Sequence, residues 1–181
     1  MSVAFSSIGF IASITVTVLA AREVSSNPLF VGFPNAVGVG GAVIGTRMIY
    51  LISKSNSQLN ALAFTFLIGA FGGAIMFYSL ILDSFLLLLL GAFILGIGQS
   101  ATLQTRYAAS FVAGAKFKAT ALSLAVWFSV FGSVFGPRMV GSYSNFFENI
   151  FNSDLIVGYV IAFVGMLFAA ASLFTFTSKK S

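Results

Sequence analysis

The chain has no cysteine and no histidine, and only 7% of its 181 residues are charged. Without thiols there are no disulfides and no thiolate metal site, and the redox compartment stays open. Without imidazole, the commonest proton carrier and metal ligand is missing as well. No metal and no cofactor are expected. Ordinary soluble domains carry roughly 25% charged residues. So few charges cannot coat a water-facing globule of this length, and the bilayer is the natural solvent.

Catalytic constellations are absent too. The four acids all fall at the edges of apolar segments, and the numerous serines have no nearby base to activate them. No Gly-rich loop followed by Lys-Ser or Lys-Thr is present, so the chain holds no phosphate cradle for NTP. The expectation is a protein that is not an enzyme. The net charge of +5 comes from nine scattered Lys and Arg residues rather than a basic stripe, which argues against nucleic acid as a partner.

What the chain does have is hydrophobicity: 59% apolar residues and a mean hydropathy of +1.04. Apolar segments fall near 3–21, 31–53, 60–82, 85–111, 119–143 and 155–177. A helix of ~20 residues crosses a ~30 Å hydrocarbon core. Strands of a membrane barrel would alternate, and "FLLLLLGAFILG" does not. The first segment lacks a basic leader region and reads as a retained helix rather than a signal peptide. The predicted fold is an all-α polytopic membrane protein, a single six-helix transmembrane bundle over residues 1–181.

Charges set the orientation. With the N-terminus cytoplasmic, the inner links and tail hold Lys54, Lys116, Lys118, Lys179 and Lys180. The outer links hold Arg22 with Glu23, Asp83, Glu148 and Asp154. Lysines gather on one side and every acid on the other, as the positive-inside rule requires. Both termini are expected in the cytoplasm, with the bundle spanning the inner cell membrane.

An octapeptide recurs. "GAVIGTRM" at 41–48 in the second segment returns as "GSVFGPRM" at 132–139 in the fifth. The two segments run in opposite directions, which predicts two inverted three-helix repeats, an architecture of secondary transporters. Gly41 with Gly45, and Gly132 with Gly136, each lie one turn apart, where they let helix backbones approach. Pro137 removes a backbone hydrogen bond and predicts a kink, hence a pivot. Arg138 beside it either snorkels to the outer headgroups, pairs with Glu148 or meets an anionic solute. In the fourth segment Gln99, Thr102, Arg106 and Ser110 share one helical face. A polar stripe in lipid must look at protein or water. Packing could satisfy Thr102 and Ser110, but Gln99 with Arg106 suggests a hydrated cavity, in which Arg106 would favour an anionic group.

The stretch "GIGQSATLQTRYAASFVAGAKFKATALSLAVWFSVFGSVFGP", residues 96–137, resembles bacterial members of the major facilitator superfamily, in the N-terminal six-helix half. In these an Arg-Tyr-Ala-Ala segment precedes the loop and an Ala-Leu-Ser run opens the next helix. "GSVFGPRMVG" resembles the Gly-rich fifth-helix signature of the superfamily's antiporters, with Gly132, Gly136, Pro137 and Gly141 on its positions. Ser123 and Val140 stand where glycines are usual. The loop between helices two and three reads "SKSNSQ" instead of the usual Gly-Arg-Arg pattern, and Ala92 and Leu95 occupy slots that drug/proton antiporters fill with Arg and Gln. Phe111 stands where an acid usually closes helix four, and helix one carries no acid before Glu23. Proton coupling through this half is not implied.

The resemblance implies half of a secondary transporter that moves a small solute by alternating access, with export as the implied direction. Its partners would be membrane lipid, a small-molecule solute and a second six-helix half, from a separate chain or by homodimerisation. The alternatives are a non-transporting membrane scaffold and a truncated, degenerate remnant.

Overall fold

The computed structural model describes residues 2–25, 28–55, 57–112 and 155–178, with isolated stretches between 117 and 142. Five helices in it are long and apolar enough to cross a membrane: α1 (Ser2–Val24), α2 (Phe33–Ser55), α3 (Gln58–Ile81), α4 (Phe85–Val112) and α5 (Ile156–Ser178). No strand occurs among the described residues, and the all-α membrane bundle expected from the sequence is what the chain forms. The residues described between 117 and 142, in the fifth predicted segment, are helical.

Local chemistry sets the helix ends. Pro34 sits in the first turn of α2, where a missing N–H leaves no intrahelical bond unmade. A 3-10 turn, Pro28–Phe30, precedes it. The α3–α4 turn is the tightest. Asp83 adopts a left-handed conformation with φ of 47°. Around it the Ser84 N–H donates to the Ser79 carbonyl, and the Leu82 N–H donates to Tyr78, each at 3.0 Å. This closes α3 in the manner of a Schellman motif, with aspartate at the position glycine usually takes. Ser84 then starts α4, its carbonyl accepting from the Leu88 N–H at 3.1 Å.

That turn carries a prediction. Glycine enters left-handed space freely, whereas a β-branched side chain collides with its own carbonyl, at ~1–2 kcal/mol. Asp83→Gly should therefore hold or slightly raise stability, and Asp83→Ile should lower it by ~1–2 kcal/mol. Unfolding of the purified chain by SDS in mixed micelles reads the difference.

The five described helices form an open ring. α4 packs between α2 and α3, α3 packs also on α5, and α5 on α1, while α1 meets α2 and α4 only sparsely. α2 and α4 are parallel: Phe30 and Phe85, just before and at their starts, stack 6.1 Å apart, and Gly45 further along α2 faces Ile97 and Ser100. The pairs α3–α4, α3–α5 and α1–α5 are antiparallel. Exchanging the first three predicted segments with the last three converts the α3–α4 pair into the α5–α1 pair, another broad antiparallel contact.

Small residues make these contacts possible. A Cβ on Gly96 would land on the Gly38 carbonyl, one on Gly41 on the Phe93 carbonyl, and one on Gly69 would lie 2.7 Å from the Gly98 Cα. Lipid offers no hydrophobic drive for helices to associate, so close backbone approach supplies dispersion contact instead. Two apolar clusters fill the ring. One, around Met76, Leu88, Tyr159 and Met166, draws on α1, α3, α4 and α5. The other, around Ile49, Leu62, Phe66 and Leu173, lies towards the end where α2 and α4 finish.

Candidate functional site

The sparse contact between α1 and its neighbours leaves a cavity of about 270 Å³. Phe10, Ser13, Ile14 and Thr17 of α1 form one wall. Pro34, Asn35, Gly38 and Val39 of α2 form a second, and Ala92, Leu95, Gly96 and Gln99 of α4 a third, with Met76 at the back. The glycines account for its depth. Gly38 and Gly96 bring α2 against α4, so the groove between those two helices and α1 stays unfilled by larger side chains.

Hydroxyl protons along this wall are already engaged. Ser13 Oγ donates to the Phe10 carbonyl at 2.7 Å, and Thr17 Oγ1 donates to the Ser13 carbonyl at 2.7 Å. The same habit recurs at Thr65, Ser100 and Thr105. A hydroxyl in an apolar helix satisfies its proton on the preceding turn. Tyr159 of α5 also donates to Thr17 Oγ1, at 3.5 Å, from behind the cavity wall.

Of the four residues expected on the polar stripe of α4, the structure separates Gln99 from Thr102 and Arg106. Gln99 lines the cavity. Thr102 is 3% exposed, and its Oγ1 has no hydrogen-bond partner. Arg106 is half-buried and its Nε is likewise buried without a partner. Neither lines the cavity. Ser110 lies on α4, but its side chain falls outside the described residues. Along the helix axis Arg106 stands ~10 Å from Gln99, at the level of Lys54 on the parallel helix α2.

The remaining candidates divide similarly. Gly41 and Gly45 both face α4, Gly45 lying against Ile97 and Ser100. Arg138 is helical and exposed, and its carbonyl accepts from Ser142 Oγ at 3.0 Å. Gly141 is exposed with open space around it. Gly132, Gly136 and Pro137, the expected pivot, lie outside the described residues.

Sequence reasoning missed Asn35, Ser13 and Thr17. An amide directly after a proline near the start of an apolar helix, and two hydroxyls four residues apart on α1, were the available signals. No cluster of three or more potential metal ligands occurs among the described residues.

Comparison with known proteins fits this architecture. No family model matches the chain, and no solved structure matches it. It is 29% identical over 170 residues to the uncharacterised MFS-type transporter YdeG of Bacillus subtilis (strain 168), covering 94% of this chain and 40% of that protein. It is also 29% identical over 172 residues to the uncharacterised MFS-type transporter YddS of the same organism, covering 95% of this chain and 39% of that protein. The likeness to the major facilitator superfamily, carried in the sequence by residues 91–141, thus extends over nearly the whole chain. The chain spans about 40% of the length of these relatives.

Proposed function

We propose that this relative of the MFS-type transporters forms half of a secondary transporter, moving a small solute by alternating access. The observation that carries the proposal is the cavity between α1, α2 and α4. It is walled on one side by the intramembrane amide of Gln99, and among the described helices it lies where α1 makes only sparse contact with α2 and α4. A groove of this kind in a bilayer needs an opposing surface, and a second six-helix body supplies it. That body is a separate chain, a second copy or a continuation of the same polypeptide, in keeping with the share of the relatives that this chain covers.

Six membrane segments arranged as two inverted three-helix repeats place both termini in the cytoplasm of the inner membrane. The lysine-rich links then face inward. The expected pivot at Gly132, Gly136, Pro137 and Gly141 would let the halves rock. Thr102, Arg106 and Ser110 would line the route from Gln99 towards the inner surface, with Arg138 at the outer one. Export is the direction suggested by the antiporter-like Gly-rich stretch. Helix one carries no acid before Glu23 near its end, which removes the simplest proton carrier from the membrane interior, so coupling would rest on the other half or on another ion.

The test is reconstitution of the chain, alone and with candidate second halves, followed by uptake and efflux in proteoliposomes. Gln99→Leu is expected to reduce flux of a transported solute at least tenfold while leaving the protein folded. Unaltered flux removes Gln99 from the route. A second reading, a non-transporting membrane scaffold, is favoured by the α2–α3 link, where Lys54 is the only charge in "SKSNSQ". Under that reading no pairing yields flux, and a stable complex with an unrelated membrane protein is recovered instead.

A further inference from the structure

We infer that the cavity between α1, α2 and α4 takes an uncharged, largely apolar solute that carries both a hydrogen-bond donor and an acceptor. The inference rests on the transport reading of this cavity and names the chemical class of what occupies it.

The lining decides the charge. None of the thirteen residues around the cavity is Asp, Glu, Lys or Arg. Nearest in sequence among the described charged groups are Arg22 and Glu23, exposed at the end of α1 and ~7.5 Å and ~9 Å along the helix from Thr17. Arg106 on α4 and Arg47 on α2 follow, ~10.5 Å and ~13.5 Å from Gln99 and Gly38 at ~1.5 Å per residue. An ion entering this groove would lose its water and find no counter-charge among the described lining residues, a large penalty in an apolar setting.

The lining also decides the polarity. Asn35 on α2 and Gln99 on α4 have no side-chain hydrogen bond among the described residues, and each amide offers both donors and an acceptor. Ser13 and Thr17 have committed their protons to the Phe10 and Ser13 carbonyls, so they present lone pairs only. The polar side of the pocket therefore offers more acceptors than a hydrocarbon could use, together with two amide donors. Phe10, Ile14, Val39, Met76 and Leu95 supply the apolar remainder. At about 270 Å³ the space sits below the range of drug-sized pockets and suits one ring system with a polar substituent.

Three probes of one shape separate the possibilities: 2-naphthamide, 2-naphthoate and 2-naphthamidinium, which are neutral, anionic and cationic. Equilibrium binding is measured on the full chain in nanodiscs, with empty nanodiscs subtracted to remove partition into lipid. The amide is expected to bind at least tenfold more tightly than either ion. Gln99→Leu and Asn35→Leu should each weaken amide binding about fivefold to tenfold, and Ile14→Trp, which fills the groove, should abolish it. Each variant is first required to match the parent chain in SDS unfolding. Preference for naphthoate or naphthamidinium overturns the inference about class while leaving the cavity as a solute site. Absence of saturable binding by all three, or amide binding untouched by Ile14→Trp, overturns the cavity reading itself.

Discussion

Replacing Gly96 with leucine should dismantle the α2–α4 contact and with it the folded bundle. A Cβ at this position falls on the carbonyl oxygen of Gly38, and the next two nearest atoms are also Gly38 backbone. A flexible side chain could turn away from such an intrusion; a peptide group cannot. The two helices must separate, and separation forfeits contacts along their whole shared length, including Gly41 against Phe93 and Gly45 against Ile97 and Ser100. Overpacking a well-filled interior usually costs ~1–3 kcal/mol. With backbone as the obstacle and four side-chain atoms to house, the loss should reach or exceed the upper end. Gly40→Ala is the internal control, since nothing lies within 4 Å of a Cβ there. Glycine weakens a helix by roughly 0.5–1 kcal/mol relative to alanine, so this second change should stabilise slightly. Opposite signs in SDS unfolding, from residues on one bundle, would establish that close approach rather than glycine content holds α2 to α4. Equal effects would discard the close-approach account.

Arg106→Met should make the isolated chain more stable and lower flux through the proposed two-half assembly. The Arg106 Nε is buried with no hydrogen-bond partner, and one turn away the Thr102 Oγ1 is in the same position. Every acid that the structure describes, Glu23 and Asp83, lies at the opposite end of the bundle, ~35 Å distant along α4 by its helical rise. Arginine in the bilayer centre costs at least ~2.5–3.5 kcal/mol, and less towards a helix end. Exchanging buried charge for an apolar side chain of similar length is often stabilising by ~1–4 kcal/mol. A gain of ~1–2 kcal/mol in SDS unfolding is expected, with a loss of flux of tenfold or more in the paired proteoliposome assay. That combination marks a group retained for function against stability. A loss of stability would mean instead that the guanidinium has partners in the bundle.

Most of the architecture was legible because a bilayer simplifies the rules. A helix must be long and apolar enough to cross, so α3 and α4 announce themselves, and "LDS" between them can only be a tight turn. What composition could not reveal is which neighbours each helix chooses. Gly40 and Gly41 are adjacent in the chain, yet one faces open space and the other Phe93. No periodicity distinguishes them, since glycine carries no polarity to read. The same limit explains the partial success at the site. Gln99 stood out as an amide in an apolar run, whereas Thr102, on the same face, is buried away from the cavity. Side-chain length and the neighbouring helix decide that difference. Asn35 passed unnoticed because it opens a helix, where amides commonly serve as caps.

The ring's connectivity bears on how the protein is made. α1 leaves the ribosome well before α5, but among the described helices its broad contact is with α5, through Gly9 against Ala162 and Gly158 against Val16. About 150 residues of polypeptide must be synthesised between the two surfaces. During that interval the buried hydroxyls of Ser6, Ser13 and Thr17 lack the helix that later shields them. Until α5 arrives, the face of α1 that it covers is left to lipid or to the insertion machinery. Delayed translation anywhere between them should lengthen the window in which quality-control proteases can seize the nascent chain.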